Sequence, residues 1–180
     1  MKTTIQSIIT LLALSIVLVS CKDQNSIQTY FVDHQELPAF MSYDVAADVV
    51  DFSKANLSPD EQKAYQSVDK LDILAYRIKD NNLESYKTEL QKAKKVFNNE
   101  KYEELMEFKD KGVKVKVSTL GDEDAIDEFL VLASSNEFGF TIVRILGDNM
   151  KPEELIKLTD KLQNADIDQA QLKSLTNFFK

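Results

Sequence analysis

Few side chains in this chain are suited to act on a substrate: a single cysteine, Cys21, a single histidine, His34, and two arginines, Arg77 and Arg144. A Ser-His-Asp or Cys-His nucleophile system needs an imidazole beside a hydroxyl or a free thiol. His34 falls in a short helical pattern near the N-terminus and reads as a partly exposed helix residue. One histidine and one cysteine do not make a zinc site, and the four glycines form neither a phosphate loop nor a dinucleotide fingerprint. Asp122, Glu123, Asp124, Asp127 and Glu128 offer the hard oxygens that calcium takes, but without the central Gly and distal Glu of an EF-hand they read as a solvated acidic turn. Paired carboxylates also serve glycoside hydrolysis, yet the chain has no Trp to form the commonest sugar platform. No catalytic residue, metal or cofactor is expected, and the chain is not expected to be an enzyme.

The arginines are the better candidates, because both sit inside apolar, strand-like runs in a chain otherwise supplied with lysine. Arg144 shares its face with Phe140, Ile142 and Leu146. A guanidinium buried there needs a carboxylate and further acceptors, or it lines a pocket and grips an anionic ligand bidentately. The simpler expectation is a structural arginine that is ion-paired or snorkels to water. As a ligand contact, Arg144 comes first and Arg77 second.

Cys21 carries a different chemistry. Leu18-Val19-Ser20-Cys21 closes an apolar run that begins at Ile5, after the single positive charge of Lys2. About fifteen apolar residues suit a signal peptide and fall short of the roughly twenty a membrane-spanning helix needs. A small residue before cysteine at the end of such a run is the pattern of a lipobox, so Cys21 is the expected lipidation site. Residues 1–20 then read as a removed lipoprotein signal peptide, 21–29 as a lipidated tether and 30–180 as a single globular domain. Two or more acyl chains give stable attachment where one is marginal. Lipidation also consumes the only thiol, leaving none for an intrachain disulfide. The expected place is the cell envelope at the outer membrane, with the periplasmic and surface faces both open. The partners are the membrane, through the lipid, and an envelope protein. Nucleic acid is disfavoured, since a net charge of −8 has the wrong sign for phosphate.

These residues must be positioned by one α+β domain. Gln24 to Glu36 places Ile27, Tyr30 and Phe31 at helical spacing, and Pro38 ends it. Ala39 to Ala46 alternates like a strand, and Ala47 to Phe52 adds a helical turn. Ser58-Pro59-Asp60-Glu61 is a capping box with Pro at the first helical position, predicting a helix to about Val68. Leu71 to Ile78 reads as a central strand. Leu83, Tyr86, Leu90, Ala93 and Phe97 form the apolar stripe of a helix, and Tyr102, Leu105 and Met106 predict a second helix ending at Lys111-Gly112. Val113 to Val117, Ile126 to Ser134 and Phe138 to Leu146 read as three strands joined by short turns, hence antiparallel. Helices follow from Pro152, with Leu155, Leu158 and Leu162 on one face, and at Leu172, Leu175 and Phe179. The expected fold is a single sheet of about five strands packed against a layer of helices.

Tyr30-Phe31-Val32-Asp33-His34-Gln35-Glu36-Leu37-Pro38-Ala39-Phe40, Tyr102 to Met106 with Asp110-Lys111-Gly112, and Gly139 to Met150 give the chain a family likeness. In these blocks it resembles the Bacteroidota lipoproteins grouped as domain of unknown function 4252. The resemblance implies an envelope location and a shared fold over nearly the whole mature chain, and a link to envelope regulation. It brings no reaction and no catalytic residue. Two functions follow as expectations: a non-enzymatic binding or regulatory lipoprotein near the membrane, or a module whose pocket between sheet and helices takes a small or anionic ligand.

Overall fold

The computed structural model describes residues 25–47, 50–53, 55–79, 82–122, 125–161, 173–174 and 177–179. Cys21, the signal-peptide residues, Glu123, Asp124, Leu162, Leu172 and Leu175 lie outside the described residues. Strands β1 (Phe40–Ala46), β2 (Val68–Arg77), β3 (Glu103–Asp110), β4 (Val113–Asp122), β5 (Ala125–Ser135) and β6 (Gly139–Met150) make one sheet in the order β1-β2-β6-β5-β4-β3. Every neighbouring pair is antiparallel. Helices α1 (Ile27–His34), α2 (Pro59–Gln66), α3 (Leu83–Phe97) and α4 (Pro152–Lys161) complete the fold among the described residues. The α+β class is as expected, with the last three strands antiparallel, and α1 begins inside the segment read as tether.

The strand count rises from about five to six because Tyr102 to Met106 is no helix. Glu, Leu, Met and Lys favour helices in isolation, but this segment is the edge strand β3, held by pairing with β4. Cross-strand ion pairs reinforce it, Lys114 Nζ to Glu107 at 2.8 Å and Lys116 Nζ to Glu104 at 3.1 Å. Lys111 (φ 45°) and Gly112 (φ 85°) both have positive φ. Two such residues between paired strands make a type I′ hairpin turn, so Gly112 serves that turn and not a helix end.

Register sorts the side chains onto two faces. On one face the rung Leu74–Ile142–Leu132 lies beside Tyr76–Phe140, and α1 and α3 cover them. Ile27, Tyr30 and Phe31 from α1, and Tyr86, Ala93, Val96 and Phe97 from α3, join those strands in the main core. Tyr76 stacks on Phe140 at 5.3 Å between centroids, and Phe40 meets Tyr76 edge-on at 5.1 Å. On the other face the rungs Leu71–Ile145–Phe129 and Ile73–Val143–Val131–Val117–Met106 carry aliphatic side chains and one aromatic, Phe129. A smaller cluster of Ile126, Phe129 and Met150 packs there with Leu155 of α4. That second face is only partly roofed.

Candidate functional site

The roof is fixed in place by the capping box the sequence announced. Ser58 N donates to Glu61 Oε2 at 2.7 Å and Glu61 N donates to Ser58 Oγ at 3.3 Å, starting α2 where Pro59 presets the helical φ. The Ser58 amide also holds the Glu61 carboxyl below its ordinary pKa, with help from Lys161. Lys161 Nζ lies 3.7 Å from Glu61 Oε1 and so ties the end of α4 to α2.

Between this roof and the sheet lies a pocket of about 290 Å³. Its floor is the aliphatic face, chiefly Leu71, Ile145, Val131 and Val117. Tyr65 of α2 and Leu155 and Leu158 of α4 form the roof, and Phe52 closes one end against Tyr65, edge-on at 5.1 Å. Among the described residues, one polar side-chain group belongs to this lining, the Tyr65 hydroxyl, and it donates to Ala47 O at 3.1 Å. The rim is apolar as well. Leu105, Met106 and Ile156 line the pocket yet remain 42 %, 39 % and 53 % exposed. Neighbours in a strand normally face opposite ways. Leu105 and Met106 both reach the pocket at a point where the β3–β4 register shifts between Glu104 and Met106.

Arg144 lies on the opposite face, in the row of Phe140 and Ile142. Its Nε donates to Glu128 Oε1 at 2.7 Å and its Nη2 to Glu128 Oε2 at 3.2 Å, while Nη1 lies 3.6 Å from Asp72 Oδ2. Tyr102 Oη donates to the same Glu128 oxygen at 3.3 Å. Burial alone would lower the arginine's pKa, but the Glu128 hydrogen bonds and charge, with Tyr102 and Asp72, raise it above its ordinary value. The fork that an anionic ligand would need is thus occupied by carboxylates of the chain itself. Arg77 shares the pocket's face but ends β2 six residues beyond Leu71, about 20 Å along the strand. The structure brings neither arginine to the pocket.

The other polar candidates also find partners within the chain. Glu128, one of the acidic run, is buried and turned to Arg144, whereas Asp122 and Asp127 are exposed. His34 is more enclosed than its sequence suggested. Its Nδ1 donates to Tyr30 O at 2.7 Å, its Nε2 lies 3.3 Å from Glu89 of α3, and its ring stacks on Tyr30 at 4.0 Å. A polar recess of about 180 Å³ beside α3 contains Lys94, Lys114 and Lys116. Lys114 and Lys116 are answered there by Glu107, Glu104 and Asn98.

A pocket between sheet and helices was one of the two expectations from sequence, but with Arg144 and Arg77 as its contacts; the residues that line it were not identified, since they are ordinary strand and helix residues. The available signal was the surplus of large apolar side chains on both parities of the strands, Leu71 and Ile73 opposite Leu74, and Val131 opposite Leu130 and Leu132. A sheet that is apolar on both faces needs cover on both.

The fold and the site together define an α+β protein built on one antiparallel sheet, with a filled aromatic core on one face and an apolar pocket on the other. A family model described as "Domain of unknown function (DUF4252)" matches residues 30–158, and the chain belongs to that family. The matched span contains the whole pocket lining. No curated protein and no solved structure matches the chain.

Proposed function

We propose that this protein is a non-enzymatic binding lipoprotein of the cell envelope, anchored through lipid on Cys21, and that its binding element is the apolar pocket under α2 and α4. The anchor rests on Leu18-Val19-Ser20-Cys21 at the end of the apolar N-terminal run. The binding role rests on one observation, a cavity of about 290 Å³ whose lining, among the described residues, offers hydrocarbon surface and no free acid, base or nucleophile. Such a lining holds a ligand by excluding water and has nothing with which to transform it. Between the two expectations, the pocket favours the ligand-binding module over a regulator that works through its outer surface alone. Its chemistry favours an apolar ligand over an anionic one, because Arg144 is committed to Glu128 on the other face.

Two measurements test this. Fractionation of cells carrying wild type or Cys21→Ala is expected to move the protein from the membrane to the soluble fraction, with loss of metabolic fatty-acid labelling. Titration with the uncharged dye N-phenyl-1-naphthylamine is expected to give saturable fluorescence at one dye per chain. Membrane retention of unlabelled Cys21→Ala would remove the anchor, and an absence of saturable dye binding by the folded protein would remove the pocket's role.

A further inference from the structure

We propose that the pocket holds one hydrocarbon chain of about ten carbons, an acyl or alkyl chain whose polar end stays in water. This deepens the binding role proposed above and rests on it. The lining decides the chemistry of what goes in. Among the described residues, Tyr65 supplies the one polar side-chain group of the lining and already donates to Ala47 O. A polar ligand group placed inside would therefore lose water and gain no partner.

The volume decides the shape. At about 30 Å³ for a group the size of water or methylene, 290 Å³ holds roughly ten such groups. One chain of that length fits and two do not. A helix about 10 Å across with a 5.4 Å pitch encloses about 420 Å³ per turn, more than the whole cavity. An extended peptide would carry backbone amides into a lining that cannot satisfy them. Hydrocarbon alone meets both limits. The rim gives the route: Leu105, Met106 and Ile156 are exposed at the opening, so an entering chain meets apolar side chains first. Met106 is unbranched and adaptable, which suits a mouth that must admit and then enclose a flexible chain.

The head group contributes little. Pro152 lines the pocket, and Glu153 and Glu154 follow it in the first turn of α4. With the chain's charge of −8, those acids make a neutral head at least as acceptable as a carboxylate.

The test is displacement of N-phenyl-1-naphthylamine from the mature chain carrying Cys21→Ala by straight-chain alkanols and alkanoates of six to fourteen carbons, below their aggregation limits. Affinity is expected to rise about fourfold per methylene, the equivalent of about 0.8 kcal/mol each, to about C10–C12 and then level off. One chain should bind per protein, and alkanols should bind at least as tightly as alkanoates. Ile156→Glu and Leu105→Glu, both at exposed positions, should weaken binding at least tenfold with the thermal midpoint unchanged. Affinity that climbs at the same rate through C14, stoichiometry above one, or wild-type binding by both rim variants would overturn the assignment. If the dye binds stoichiometrically and no chain of any length displaces it, the chain assignment fails while the binding role stands. If the folded protein takes neither, both fail. Repeating the titration on the lipidated wild type separates two supporting outcomes. Uptake by both forms identifies free lipid as the source, and uptake by Cys21→Ala alone identifies the protein's own anchor.

Discussion

Replacing Arg144 by Met isolates what the buried ion cluster contributes. In the native fold the guanidinium is shared between Glu128, at 2.7 and 3.2 Å, and Asp72, at 3.6 Å. Both carboxylates are buried, 3 % and 5 % exposed. Met preserves length and apolar contact but leaves Glu128 buried without its cation, while Asp72 keeps Lys70, whose Nζ lies 3.0 Å from Asp72 Oδ1. Breaking a buried pair by removing one partner typically costs about 3–5 kcal/mol, a large part of the roughly 5–15 kcal/mol by which domains are stable. With a urea dependence near 2 kcal/mol per M, the unfolding midpoint of Arg144→Met should fall by about 1.5–2.5 M, followed by circular dichroism. Adding Glu128→Gln removes one orphaned charge and should recover about 1–3 kcal/mol of the loss. Because Arg144 faces α1 and α3, dye binding by the molecules that remain folded should stay within about twofold of wild type. An Arg144→Met protein with an unchanged midpoint and weakened ligand binding would refute the ion-pair assignment and return Arg144 to the site.

Tyr30, Tyr76 and Tyr86 all have pKa values raised chiefly by burial, with Glu89 adding to the first two. A raised folded-state value means that stability is intact below the ordinary phenol value of 10.0 and declines as pH rises beyond it. Each phenol contributes up to about 1.4 kcal/mol per pH unit there, so Tyr30→Phe should flatten the alkaline decline in urea titrations by one such increment. At pH 7 the same variant should be more stable by about 1 kcal/mol, since the Tyr30 hydroxyl is buried without a hydrogen-bond partner among the described residues. Gly139 has φ +125°, and a Cβ there would run into the Tyr76 carbonyl oxygen. Gly139→Ala should therefore cost about 2–4 kcal/mol by denaturant titration. Ser58→Ala removes half of the α2 capping box and should cost about 1 kcal/mol, again read from the urea midpoint.

Where local chemistry alone decides structure, the sequence was easy to read. Ser58-Pro59-Asp60-Glu61 announced α2, the 83–97 stripe announced α3, and the Val113 to Val117 alternation announced β4, because caps and periodicity act over a few residues. Leu105 and Met106 were misread for the converse reason. Their neighbours favour a helix in isolation, and only pairing with β4 across the Lys111-Gly112 turn makes them a strand. Arg144 was legible as a residue in need of a partner, but Glu128 was hidden in an acidic run of which Asp122 and Asp127 face water. The pocket depends on how far α2 and α4 stand from the sheet, and no pattern within a strand encodes that distance.

The two faces differ in what fills them, and that difference bears on whether the pocket is used. Beneath α1 and α3, Tyr76 stacks on Phe140, Phe40 meets both edge-on, and the three rings reach His34 and Tyr86 of the helices. Under α2 and α4 the floor is largely Val, Ile and Leu, which leave about 290 Å³ open beside the cluster that Phe129 and Met150 form with Leu155. The pocket opens at Leu105, Met106 and Ile156, so what it costs the fold is apolar lining left unburied. A fold selected for stability alone would fill it, and one larger side chain at Val131 would begin to. Val131→Phe should raise the thermal midpoint, by the equivalent of about 1 kcal/mol, while weakening dye and alkyl-chain binding severalfold. Gain of stability with loss of binding is what a pocket kept open for a ligand requires. A Val131→Phe protein destabilised by more than about 1 kcal/mol, as overpacked cores are, would mean that sheet and roof already touch and that there is no space to fill.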